Sequence, residues 1–168
     1  MANDEQHRYL MHLNDALAME NALVGHLEKR VKSLPSAIAR QRVGQHLQET
    51  QYHRDLVKQL ITALGSTPTT ARSHVQAPIA PSLAGKVVDA LQAEKGDVLL
   101  LDSLADFAVE KFEAAIYQTL ALIARRLGHQ EHAAQFDRIR QQEEAMATFL
   151  WEQQATLVNE AFPLQQAA

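Results

Sequence analysis

Four stretches of the chain space their apolar residues at steps of three and four, and each carries glutamate near its middle: Glu20, Glu49, Glu110 with Glu113, and Glu143. On helices these positions fall on the stripe that faces the interior. Burying an ionised carboxylate costs several kcal/mol, and two like charges about 4 Å apart repel by roughly 4 kcal/mol at an effective dielectric near 20. Five carboxylates gathered in one core therefore require cations among them. Glu110 and Glu113, at i and i+3, project from successive turns of one face, so one can bridge two ions while its neighbour chelates one. His53 stands one turn beyond Glu49 and reaches the same layer. Oxygen donors with one imidazole, in a sequence without cysteine, suit two ions of Fe or Mn better than Zn.

Each of these residues also has an ordinary reading. A single mid-helix Glu commonly faces solvent, and only one of Glu143 and its neighbour Glu144 can face inward. His46 and His53 taken alone are ordinary surface or capping histidines. Asp106 reads as a partly exposed helix residue and Tyr117 as a core residue with a satisfied hydroxyl. His12, His26, His74, His129 and His132 lack a supporting pattern and read as surface. Coincidence on four helices favours metal over these separate readings.

The elements that must position the carboxylates follow from the same periodicity. The first helix is expected from about Asn3 to Ser33, on the stripe Leu13, Leu17, Glu20, Leu27, Val31. Pro35 and its flanking serines punctuate, with Ser33 or Ser36 as N-cap of the second helix, so the first two helices form an antiparallel hairpin. The second helix runs to about Leu64 and closes at Gly65. Its stripe passes through His46, Glu49, His53, Leu56 and Leu60. A Pro- and Thr-rich stretch follows, then a short helical segment from about Ser82 to Lys95, ended by Gly96. That connection is far longer than a hairpin needs and suits a crossover along the bundle. The third helix is expected from about Asp97 to Leu127, Gly128 marks a tight turn, and the fourth runs from about His129 to Asn159. The helix midpoints then fall near residues 18, 50, 112 and 144, which sets the glutamates within about one turn of the bundle's waist.

Composition agrees with one all-α domain over residues 1–168. The chain is 46% hydrophobic with only six Gly and five Pro, and its length supports a substantial core. A net charge of −4, with Lys and Arg scattered, gives no basic field for nucleic acid. The opening MANDEQHRYL is polar, and no apolar run approaches the roughly 18 residues that span a bilayer. The expectation is a cytoplasmic protein with neither membrane nor nucleic acid as partner.

Four segments carry a resemblance to a known family: AMENALVGHL around Glu20, HLQETQYH around Glu49, VEKFEAAIYQTLALIARRLG around Glu110 and Glu113, and QQEEAMATFL around Glu143. Over roughly Leu10 to Trp151 the chain resembles the YciF-like family of ferritin-like bacterial proteins, a group linked to stress responses. The resemblance implies a ferritin-like four-helix bundle with a crossover between helices two and three, a homodimer, and a dinuclear metal site. It implies no defined reaction. The chain also departs from ferritin-like diiron enzymes, which carry Glu-x-x-His on helices two and four. Here Glu49 is followed at i+3 by Tyr52, and Glu143 by Met146. Position 111, often His in the family, is Lys.

Two functions are thus expected. The first is a dinuclear Fe or Mn carboxylate protein reacting with peroxide or dioxygen, its ligands Glu20, Glu49, His53, Glu110, Glu113 and Glu143. The second is a non-catalytic structural or interaction bundle with a degenerate metal site, its carboxylates paired with Lys111, Arg42 or water.

Overall fold

A computed structural model of the chain describes residues 2–69 and 98–162. Four helices make up the described residues: α1 Ala2–Ser33, α2 Ala37–Ala63, α3 Val98–Arg126 and α4 Gln130–Ala161. No strand occurs among the described residues. The boundaries lie within about two residues of the sequence expectation.

Local chemistry explains where the helices begin and end. Ser36 is extended and its Oγ accepts a hydrogen bond from the Ala39 N–H at 3.3 Å, which caps α2. At the other end of α2, Gly65 adopts φ 77°, its N–H bonds the Thr62 carbonyl, and the Ser66 N–H bonds that of Ile61. Gly128, at φ 82°, ends α3 in the same manner: its N–H reaches the Arg125 carbonyl, and the His129 N–H reaches that of Ala124. Both are Schellman ends, in which a left-handed glycine lets the chain turn back and satisfy the last carbonyls.

Ion pairs and polar contacts fix how the two hairpins face one another. Arg30, near the end of α1, donates to Asp106 at 2.8 Å and to Asp102 at 3.1 Å, both near the start of α3. His26 bonds Asp106 as well, at 2.9 Å. The Tyr9 hydroxyl, near the start of α1, lies 3.1 Å from Nδ1 of His132 near the start of α4. Hence α1 runs antiparallel to α3 and parallel to α4. The Thr69 N–H donates to Asn14 Oδ1 at 2.8 Å, on the Tyr9 half of α1. The chain thus leaves α2 and resumes as α3 at opposite ends of the bundle. The expected crossover and its short helix fall on residues 70–97, outside the described residues.

The core is divided in two. One apolar cluster gathers Tyr9, Leu13, Leu17, Leu56, Ile61, Tyr117, Leu120, Phe136 and Ile139. The other holds Leu27, Val43, Met146 and Leu150. Burying each such side chain contributes roughly 1.5–3 kcal/mol. On α2 and α4 buried polar residues separate the two clusters, His46, Thr50 and His53 between Val43 and Leu56, and Glu143 between Ile139 and Met146, whereas on α1 Glu20 lies within the first cluster, between Met19 and Leu23.

Candidate metal centre

Buried near the middle of the four helices are Glu20, His46, His53, Glu110, Glu113 and Glu143, each at most 3% exposed. Every helix contributes, as the midpoint argument requires. Glu144, by contrast, pairs with Arg140 at 2.7 Å and its side chain is 45% exposed, so Glu143 is the inward residue of α4.

Glu143 lies at the centre of the layer. Its Oε1 is 2.9 Å from Nδ1 of His53, and its Oε2 is 3.5 Å from Nε2 of His46. His53 is in turn 3.9 Å from Glu20 Oε1, and His46 is 3.1 Å from Glu110 Oε2. Two triads result, Glu20 with His53 and Glu143, and His46 with Glu110 and Glu143. In each, one donor atom from every member lies within 4.8 Å of the others.

Several atoms of these residues lack a hydrogen-bond partner. Glu20 Oε2, His53 Nδ1, Glu110 Oε2 and both oxygens of Glu143 are buried and have no hydrogen-bond partner. Buried polar atoms are seldom left so, and a cation among them would engage their lone pairs. That donor set, carboxylate oxygens with two imidazoles, could hold a metal cation.

The surroundings orient the donors. Nε2 of His53 bonds Gln142 Oε1 at 2.8 Å; with the proton on that nitrogen, Nδ1 would keep its lone pair for a cation held beside Glu143 and Glu20. The Tyr117 hydroxyl, fully buried, donates to Glu20 Oε1. Glu49 takes a different position from the other glutamates. Its side chain is 16% exposed and sits behind His46, accepting from Nδ1 of that ring at 3.1 Å, from Arg42 at 3.2 Å and from Gln45 at 3.1 Å.

Burial and like charge leave their mark on protonation. Burial pushes the Glu20 and Glu110 carboxyls up to about 8 against partial relief from the histidines, with the Glu143 charge adding to the rise. Glu113 is raised well above the usual range by burial and by Glu143, Glu110 and Glu20. Burial alone would lower His46, but Glu110, Glu49 and Glu143 carry it up to about 10. His53 likewise rises against its burial, through Glu143 and Glu20. Burial would raise Glu49, yet His46 and Arg42 hold it below the usual carboxylate range.

Of the residues expected from sequence, Glu20, His53, Glu110 and Glu143 enter the two triads and Glu113 joins their layer, whereas Glu49 stands outside them. His46 is the residue that sequence reasoning left out of the ligand set. It lies seven residues before His53 on the same stripe, and that spacing was the available signal. Tyr117 is a core residue with a satisfied hydroxyl, as expected. Asp106 serves the α1–α3 ion network. Lys111 is exposed, and Arg42 pairs with Glu49 rather than with the layer.

Among the described residues no helix is long and apolar enough to cross a membrane. Residues 4–162 match the family described as a domain of unknown function, DUF892. Two solved structures share the fold. One is a protein of Xanthomonas campestris pv. campestris, with TM-score 0.74 and 25% identity, covering 92% of this chain and 93% of that one. The other is YcfI of Rhodopseudomonas palustris, proposed as a structural protein, with TM-score 0.72 and 25% identity, covering 89% and 92%. No curated protein matches the chain.

Proposed function

The chain belongs to the DUF892 family, and from that premise and its buried carboxylate layer we propose that it is a dinuclear Fe or Mn protein of the YciF-like, ferritin-like kind. One observation carries this reading: the two oxygens of Glu143 face two different histidines in two different triads, as a carboxylate bridging two ions would. Glu20 and His53 would hold one ion, and Glu110 and His46 the other. Glu113 adds a further carboxylate to the layer.

Bound there, two such ions would supply the redox equivalents for reducing peroxide or dioxygen. The chain's own contribution is positional and dielectric. Gln142 fixes the His53 ring, Tyr117 holds one oxygen of Glu20, and the apolar clusters on either side keep bulk water from the layer. In cellular terms the reading is a cytoplasmic homodimer acting in a stress response. The exposed Trp151, packed on Phe107 at 5.7 Å between ring centroids, offers apolar surface to a second copy.

Peroxide consumption by protein loaded anaerobically with Fe(II) or Mn(II) tests the reaction. The loaded wild type is expected to consume peroxide, and a Glu110→Gln, Glu113→Gln double variant is expected to lose both tight metal binding and turnover. Unchanged metal stoichiometry in that variant would remove the assignment. A second reading, a structural bundle with a degenerate site, draws on Met146, an apolar residue where a second α4 ligand would stand. Little or no metal uptake, with no turnover, would favour it.

A further inference from the structure

The six residues of the layer are at most 3% exposed, so a cation from solvent must be handed inward by some side chain that meets both. Glu49 has that position. Its carboxylate is part-exposed, and its Oε2 lies 3.1 Å from Nδ1 of His46. Nε2, across the same ring, is 3.1 Å from Glu110 and 3.5 Å from Glu143. The half-buried Gln142 also backs the layer, on His53, but its neutral amide offers an arriving cation no charge. Arg42 lies beside Glu49, with its guanidinium 3.2 Å from Oε2 and its side chain partly exposed. It competes with any cation for that oxygen and repels one approaching it.

We propose that Glu49 is the carrier carboxylate through which a divalent cation passes from solvent to the buried layer, with Arg42 latching it shut in the metal-free protein. This role rests on the dinuclear reading above and gives Glu49 a place in it other than resident ligand. The cation displaces Arg42 from Glu49, and a swing of the His46 ring opens the way to Glu110 and Glu143. Arg42 then turns to solvent, where its side chain is already partly exposed.

The test is the rate of Fe(II) or Mn(II) uptake by metal-free protein, followed by stopped-flow competition with a chromophoric chelator, with final content read by elemental analysis. Glu49→Gln is expected to load about tenfold more slowly and Arg42→Gln several-fold faster, in line with the effect of local charge on association rates. Both are expected to reach the wild-type content, and Glu49→Asp to recover much of the lost rate. Equal rates in all four proteins would overturn the carrier role and leave the dinuclear reading standing. A lower final content in Glu49→Gln would make Glu49 a resident ligand and overturn the role as well. A wild type that takes up no metal would overturn the dinuclear reading, and the carrier role with it.

Discussion

At the scale of single residues, Glu143 is the side chain on which the two triads depend. Glu143→Gln is expected to abolish binding at both positions, whereas His46→Ala is expected to spare the Glu20–His53 side, so calorimetric titration with Mn(II) would read none against one. Equal losses in the two variants would deny Glu143 its shared role. Protonation gives a second expectation. Glu20 and Glu110 ionise near 4.5 when unfolded but near 8 in the fold. Between those values the folded, metal-free protein holds more protons, and stability falls as pH rises. His46, shifted from 6.5 to about 10, extends the same sign to higher pH. The metal-free melting temperature should therefore fall from about pH 5 to about pH 9, while the rise on adding metal should grow, because metal competes with those protons. A metal-induced rise independent of pH would contradict the protonated layer. Most of the layer was legible, because a glutamate interrupting an apolar stripe is conspicuous. Glu49 was not placed by that rule. At about 100° per residue it stands roughly 60° around α2 from His46, at the edge of the buried arc rather than its centre. His46 was passed over because one histidine on a helix carries little information until its partners on other helices are known.

Helix ends were the clearest features at the scale of elements, because Ser36, Gly65 and Gly128 act through local geometry that needs no tertiary information. Ser36→Ala should cost about 1 kcal/mol in urea denaturation. Gly128→Ala should cost about 1–2 kcal/mol. No atom lies within 4 Å of where its Cβ would stand, so that loss is the left-handed backbone alone. The Arg30–Asp106 pair could not be read from sequence, since Asp106 looks like any half-exposed helix residue until α1 and α3 are packed. Removing Asp106 leaves the largely buried Arg30 with only the more exposed Asp102 as partner, so Asp106→Ala should destabilise more than the cap does, by about 2–4 kcal/mol. An Asp106→Ala protein as stable as wild type would show that the network does not hold the hairpins together.

For the whole molecule, composition and periodicity were enough for an all-α bundle, since four amphipathic stretches with short turns at Pro35 and Gly128 leave few other arrangements. What they could not convey is that the core forms two apolar clusters with polar residues between them on α2 and α4, which depends on the relative heights of the helices. Such a core is weakest at its waist in the metal-free state. A cation at about a thousand times its dissociation constant adds roughly 4 kcal/mol, on the order of ten degrees in melting temperature for a domain of this size. Chelation should remove that increment, and an unchanged melting temperature would match the structural reading. The most direct measurement is metal content per chain, by elemental analysis, of protein purified without an affinity tag and loaded anaerobically with Fe(II). Two ions per chain are expected from two triads sharing Glu143, while one ion or none would contradict a dinuclear centre.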